Sequence, residues 1–235
     1  MDWFEVVAAR VRPLAEGAHL TAYGIWIALG VSLVAVLVRP VWRVLRLAVT
    51  LVHELGHAFV GMLVGRRFTG FVLRGDMSGH AVTVGRPRGP GRVVSTWAGY
   101  PAPGVVGAAM IWSAVRGWSA AVVAVVLVAL LVALLRARSA LTGLVMILAL
   151  AATAALWWWR DDTIQEQVLI GTGIVLLVGA WRHLAAALAD RSRSSDVAVI
   201  ADLGHLPRAL VTLSFAAVLA AASWLAATEV LGALR

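Results

Sequence analysis

Long apolar runs alternate along this chain with short polar stretches, and few of the runs show the two-residue rhythm of a half-buried strand. Counting stretches near 20 residues, about what a helix needs to cross 30 Å of hydrocarbon, predicts spans at 19–38, 41–65, 93–115, 118–135, 140–159, 164–182 and 205–227. Residues 1–18 place Trp3, Phe4, Val6 and Val7 among Asp2, Glu5, Arg10 and Arg12, the pattern of an interfacial helix rather than a cleaved leader. The one sizeable polar insertion before residue 183 runs from Arg66 to Arg92. Phe68, Gly70 and Val72 alternate on one side of Arg74-Gly75-Asp76-Met77-Ser78-Gly79 and Val82 and Val84 on the other, which predicts two short strands and a turn. The expected fold is an all-α polytopic membrane protein of six to seven transmembrane helices, with a β-hairpin after the second span. Residues 19–235 would form a single membrane domain, with the hairpin loop at 66–92 and a second polar segment at 183–204.

Composition sharpens this picture. Of 235 residues 61% are hydrophobic and 14% charged, too little polar surface for a soluble enzyme or a nucleic-acid-binding domain. All 20 basic residues are Arg, and most lie at the ends of apolar runs, where they serve orientation and anionic headgroups rather than nucleic acid. With connections assigned alternately to the two sides, Arg concentrates with the N-terminal segment, the 66–92 loop, the 136–138 turn and the segment before the last span. The positive-inside rule then predicts a multi-pass cell-membrane protein with its N-terminus and hairpin cytoplasmic and its C-terminus outside. Trp157, Trp158 and Trp159 before Arg160 read as an aromatic belt on the outer side. The chain has no Cys, so any metal must sit on His and carboxylate.

Within the second span lies His53-Glu54-Leu55-Gly56-His57, an HExxH motif in apolar surroundings. Residues four apart share a helix face, so His53 and His57 can present imidazoles to one Zn2+, with Glu54 beside a metal-activated water as general base. From the His and Glu content, chance would produce about 0.003 such matches in a chain of this length. Two His and a carboxylate in mid-span are costly in lipid and normally face the protein interior in a functional role. The alternative is that they only hydrogen-bond neighbouring helices. A third ligand is needed, with a fourth position left open. Asp196 is favoured, because Ser194-Ser195-Asp196 precedes an apolar stretch and a Ser-capped short helix could bring the carboxylate to the metal. Asp202 and His205 are runners-up, and His19, His80, His183, Asp76 and Asp190 lie on the same predicted side.

The HELGH span, the basic hairpin, Trp97-Ala98-Gly99-Tyr100-Pro101-Ala102-Pro103-Gly104 and the late Ser195-Asp196 segment together resemble the site-2 protease family of intramembrane zinc metalloproteases. The match is closest to its small bacterial branch without a PDZ domain. The resemblance implies His53, His57 and Asp196 as ligands of one zinc ion and Glu54 as catalytic glutamate. It also implies a membrane-protein substrate, cleaved in or near its transmembrane segment within the bilayer. Better-known members carry their Asp in an Asn/Pro-containing stretch ending Leu-Asp-Gly, where this chain has Ser195-Asp196-Val197-Ala198. A non-proteolytic metal-binding membrane protein, acting as sensor or assembly partner, is the alternative; it predicts that Glu54→Gln is without effect. A transporter would place ionisable groups along several spans, and the third, fourth and fifth offer almost none.

Overall fold

The structure is a computed structural model that describes residues 2–14, 18, 20–190 and 192–235; His19 lies outside the described residues. Its elements in chain order are α1 (Trp3–Val11), α2 (Ala22–Leu37), α3 (Arg39–Leu63), β1 (Arg67–Leu73), β2 (Gly79–Val84), α4 (Pro90–Trp97), α5 (Pro101–Val115), α6 (Ser119–Leu134), α7 (Ala140–Trp158), α8 (Asp162–Ala189), α9 (Asp196–Gly204) and α10 (Arg208–Ala233). Side-chain caps mark several starts, as the polar punctuation leads one to expect. Thr21 accepts from Gly24 N–H, Asp161 from Ile164 N–H and Ser195 from Ala198 N–H, each satisfying an orphan donor of a first turn.

Every expected span has a helix, but among the described residues four helices are long and apolar enough to cross a membrane: α3, α7, α8 and α10. The apolar helices α2, α5 and α6 have 16, 15 and 16 residues, fewer than the six-to-seven-span expectation requires of each. One cause is visible at the expected third span, 93–115, which divides into α4 and α5 at residues 98–100. Pro101 and Pro103 follow the break, and proline lacks the N–H that would carry an α-helix through. The expected sixth span, 164–182, runs on in α8 to Ala189, so His183 is inside a helix rather than after it.

Helix α8 is the spine. It packs along α5 with backbones nearly touching: a Cβ on Gly107 would strike the Gly173 carbonyl, and one on Gly173 the Gly107 carbonyl. Small residues permit this approach where lipid offers helices no hydrophobic drive to associate. Ala180, Phe215 and Leu219 bring α10 onto the same spine, and Ala28, Leu169 and Ile170 bring α2. On α6, α7 and α10, large apolar side chains such as Val125, Ile147 and Leu213 remain exposed, as lipid-facing surfaces require.

The hairpin is present as expected. β1 and β2 pair antiparallel, with an irregularity between Phe68 and Gly70. Its outer side is tied to the α6–α7 turn by Phe71 N–H to Arg136 O and Arg138 N–H to Phe71 O, both 3.0 Å. Arg66 closes its base, donating from Nε to Thr83 Oγ1 at 3.2 Å and from Nη1 to Arg86 O at 2.8 Å.

These contacts sort the connections by end, and they correct the expected grouping of the N-terminus with the hairpin. The hairpin sits with the 135–139 turn, at the C-terminal end of α6. The N-terminal segment sits at the other end of α6: Leu14 N–H donates to Gly117 O at 3.0 Å, Arg10 bonds the Trp157 and Trp158 carbonyls, and Arg160 bonds Ala9 O. Arg116 pairs there with Glu229 near the C-terminus. Both termini therefore share one end. The reason lies in the α2–α3 junction, where Arg182 Nη1 donates to Val36 O at 3.2 Å and its guanidinium covers the Trp42 ring at 4.2 Å. α2 thus delivers the chain close to the stretch of α8 that carries His183. α3, the least apolar of the four long helices, starts from there and ends at the hairpin without returning to the far end.

Candidate metal centre

The α3 helix presents His53 and His57 on one face, as a spacing of four dictates. Their Nε2 atoms are 3.1 Å apart, and Asp196 Oδ2 lies 3.4 Å from the first and 3.2 Å from the second. Asp196 is the first residue of α9, delivered by the Ser195 cap. Packing of Val197 and Ile200 in the core with Leu184 and Phe215 holds the short helix in place. One ligand atom from each of the three side chains lies within 4.8 Å of the others, so the group could hold a metal ion.

The donor chemistry fits a cation. His57 Nδ1 is 2.8 Å from Ser95 O, a pure acceptor, so Nδ1 carries the proton and the Nε2 lone pair faces His53 and Asp196. Three electron-rich atoms then converge where only a proton or a metal ion relieves their repulsion. Burial pushes the Asp196 carboxyl up, but with protons rather than a metal ion on the two Nε2 atoms their hydrogen bonds and charge outweigh it and hold it well below the ordinary carboxylate range. Among the described residues His53 Nδ1, which is buried, has no hydrogen-bond partner. The His183 ring lies 5.8 Å from the His53 ring.

The break between α4 and α5 matters here. Gly99 lies against the imidazoles so closely that a Cβ would overlap the His57 ring and come 2.9 Å from His53 Cε1. Tyr100 then stands edge-on to His53, ring centroids 4.9 Å apart, and is stacked on Phe215 at the same distance. Glu54 lies next to the group without joining it. Its carboxylate is buried and accepts from Ala81 N–H at 2.6 Å, while Thr50 Oγ1 donates to Met77 O at 2.9 Å. The hairpin is thereby fastened to the helix that carries the motif. His53, Glu54, His57 and Asp196 open together on a cavity of about 500 Å³, walled also by Ser78–Thr83, Tyr100 and Asp190.

A family model described as Peptidase M50B-like matches residues 26–226. The chain belongs to the Peptidase M50B-like family. That match spans every residue of the centre and supports membership of the site-2 protease family, which implies a membrane metallopeptidase. No curated protein and no solved structure matches the chain.

Of the other candidates, Asp202 and His205 lie at the far end of α9, exposed, with His205 in the left-handed conformation and its Nδ1 3.1 Å from Asp202 O. Neither joins the M50B-like centre. Asp76 accepts from Ser78 in the hairpin turn, and Asp190 from Ser192. His80 is exposed on β2 at the cavity wall. Sequence reasoning missed Tyr100 and His183 as neighbours of His53. For Tyr100 the Gly-Tyr-Pro break at a span opening was the available signal; for His183 there was none beyond its side of the membrane.

Proposed function

We propose that this protein is an intramembrane zinc metalloendopeptidase, with His53, His57 and Asp196 as the zinc ligands and Glu54 as general base. The convergence of the three ligand atoms beside a buried carboxylate, on one cavity, carries this reading. Zinc held by His53, His57 and Asp196 would supply Lewis-acid polarisation of the scissile carbonyl and acidification of a water. Ser95 O holds His57 in the tautomer that offers Nε2. Asp196 supplies the one negative ligand. Glu54 accepts a proton from the attacking water and returns it to the leaving amine. Ala81 N–H holds one carboxylate oxygen, Oε2, and leaves Oε1 to take the proton, so the hairpin orients the base. The substrate is a peptide bond in or near a transmembrane segment of another membrane protein, locally unwound because a helix hides its carbonyls in its own hydrogen bonds. Zinc is favoured by the two-His, one-carboxylate donor set on an HExxH helix.

Arg66, Arg74, Arg86, Arg88, Arg92 and Arg193 are among the many Arg at the hairpin end, while Arg10, Arg12, Arg116 and Arg160 mark the other. By the positive-inside rule the hairpin end faces the cytoplasm and both termini face out. An N-terminal epitope tag should therefore be digested by protease added to intact cells; protection of the tag with digestion of a hairpin tag would reverse this orientation.

The test of activity is cleavage of single-span reporter proteins co-reconstituted in liposomes. The wild type should release a fragment that Glu54→Gln does not, and equal cleavage by both would overturn the assignment. A metal sensor without proteolysis would leave the reporters intact in both.

A further inference from the structure

A second cavity, of about 600 Å³, lies beside the metal centre and is used by none of the chemistry above. It is lined by Arg92 of α4, Arg193 of the loop before α9, Arg208 at the start of α10, and Asp202. Three Arg and one Asp therefore line one cavity, and among the described residues none of the three Arg makes an ion pair; Arg208 donates to Ser192 O at 3.3 Å. Three positive charges against the one negative charge of Asp202 leave the lining net cationic, and an anion would relieve their mutual repulsion. The charges sit at the Arg-rich end of the bundle. Leu203 lines the cavity, and Leu206 and Leu210 beside it are exposed. Cationic depth next to bare apolar surface at the end of a membrane helix matches an amphiphile whose anionic group enters and whose chains stay in lipid.

We propose that this cavity is a binding site for a phosphodiester headgroup, that of an anionic glycerophospholipid, with the phosphate on the guanidinium forks of Arg92, Arg193 and Arg208. Guanidinium groups pair with phosphate oxygens in bidentate fashion. Asp202 repels a second negative charge but accepts from a hydroxyl, which selects a glycerol headgroup over a phosphomonoester. The placement has a structural consequence. Arg92 lines both cavities, α4 also carries the Ser95 carbonyl that orients His57, and α9 carries Asp196. A headgroup seated there would brace α9, which carries Asp196, and α4, whose Ser95 carbonyl orients His57.

The experiment is lipid retention by the full-length protein in detergent, read by native mass spectrometry with phosphatidylglycerol or phosphatidylcholine added. The wild type should retain phosphatidylglycerol selectively, and R92Q/R193Q/R208Q should lose about 100-fold in retention. The exposed pair R193Q/R208Q, which leaves the α4 side chain intact, should lose about tenfold, and R74Q at the hairpin tip nothing. Glu54→Gln should bind lipid like the wild type, so the site stands or falls separately from proteolysis. Glycerol 3-phosphate should compete only weakly; competition at parity with the lipid would assign the same phosphate site to a soluble ester. Retention of phosphatidylcholine equal to phosphatidylglycerol, or undiminished phosphatidylglycerol retention in both Arg variants, would overturn the proposal.

Discussion

Two groups of buried polar side chains lie at opposite ends of α8. Near its start Gln165 and Glu166 are 1% and 0% exposed, more deeply buried than His53, His57 or Asp196 near its end. Gln165 Nε2 donates to Leu156 O at 2.8 Å, closing the corner between α7 and α8 by a side-chain-to-backbone bond. At the other end no such local pairing accounts for the group: two imidazoles and a carboxylate from α3 and α9, far apart in sequence, converge on one point beside a cavity. Burial of polar groups is thus a poor guide to chemistry on its own. What separates the two ends is convergence of lone pairs with access to the cavity.

The comparison is sharpest for the base. Glu54→Gln should lower proteolysis by about 1,000-fold, the scale of lost general-base catalysis, while the protein still purifies with its metal. Glu166→Gln, an equally conservative change in an even more buried carboxylate, should leave metal content intact. A fall in metal content on the second change would erase the distinction between the two ends. Next in size is Gly99→Ala. Its new methyl must displace the His57 ring, and metal affinity measured by competition with a chelator should fall about tenfold or more. The smallest effect belongs to Gln165→Leu, which should cost about 1 kcal/mol in unfolding by denaturant and leave metal binding unchanged.

Much of the centre was legible in the sequence because its signals are local. An i, i+4 His pair with an adjacent Glu needs only helical geometry to define a site, and Ser195 before Asp196 announces a capped helix start. The hairpin likewise followed from alternation around a Gly-Asp turn. What the sequence did not disclose depends on distant contacts. Glu54 accepting from Ala81, His183 reaching His53, and Arg10 docking on the 157–158 carbonyls each join residues that no periodicity relates. The grouping of the N-terminus with the hairpin fails for the same reason. Alternating sides assumes that every apolar run crosses, whereas α3 starts near the level of the metal centre and ends at the hairpin, which reverses the parity of everything before it.

The central claim is that His53, His57 and Asp196 hold one metal ion which Glu54 uses but does not bind. Zinc content of detergent-purified protein, by elemental analysis, tests it most directly. About one zinc per chain in the wild type and in Glu54→Gln, lost in His53→Ala and reduced more than about 100-fold in affinity in Asp196→Ala, is the result the account predicts. Undiminished zinc in Asp196→Ala, or none in folded wild-type protein, would contradict it.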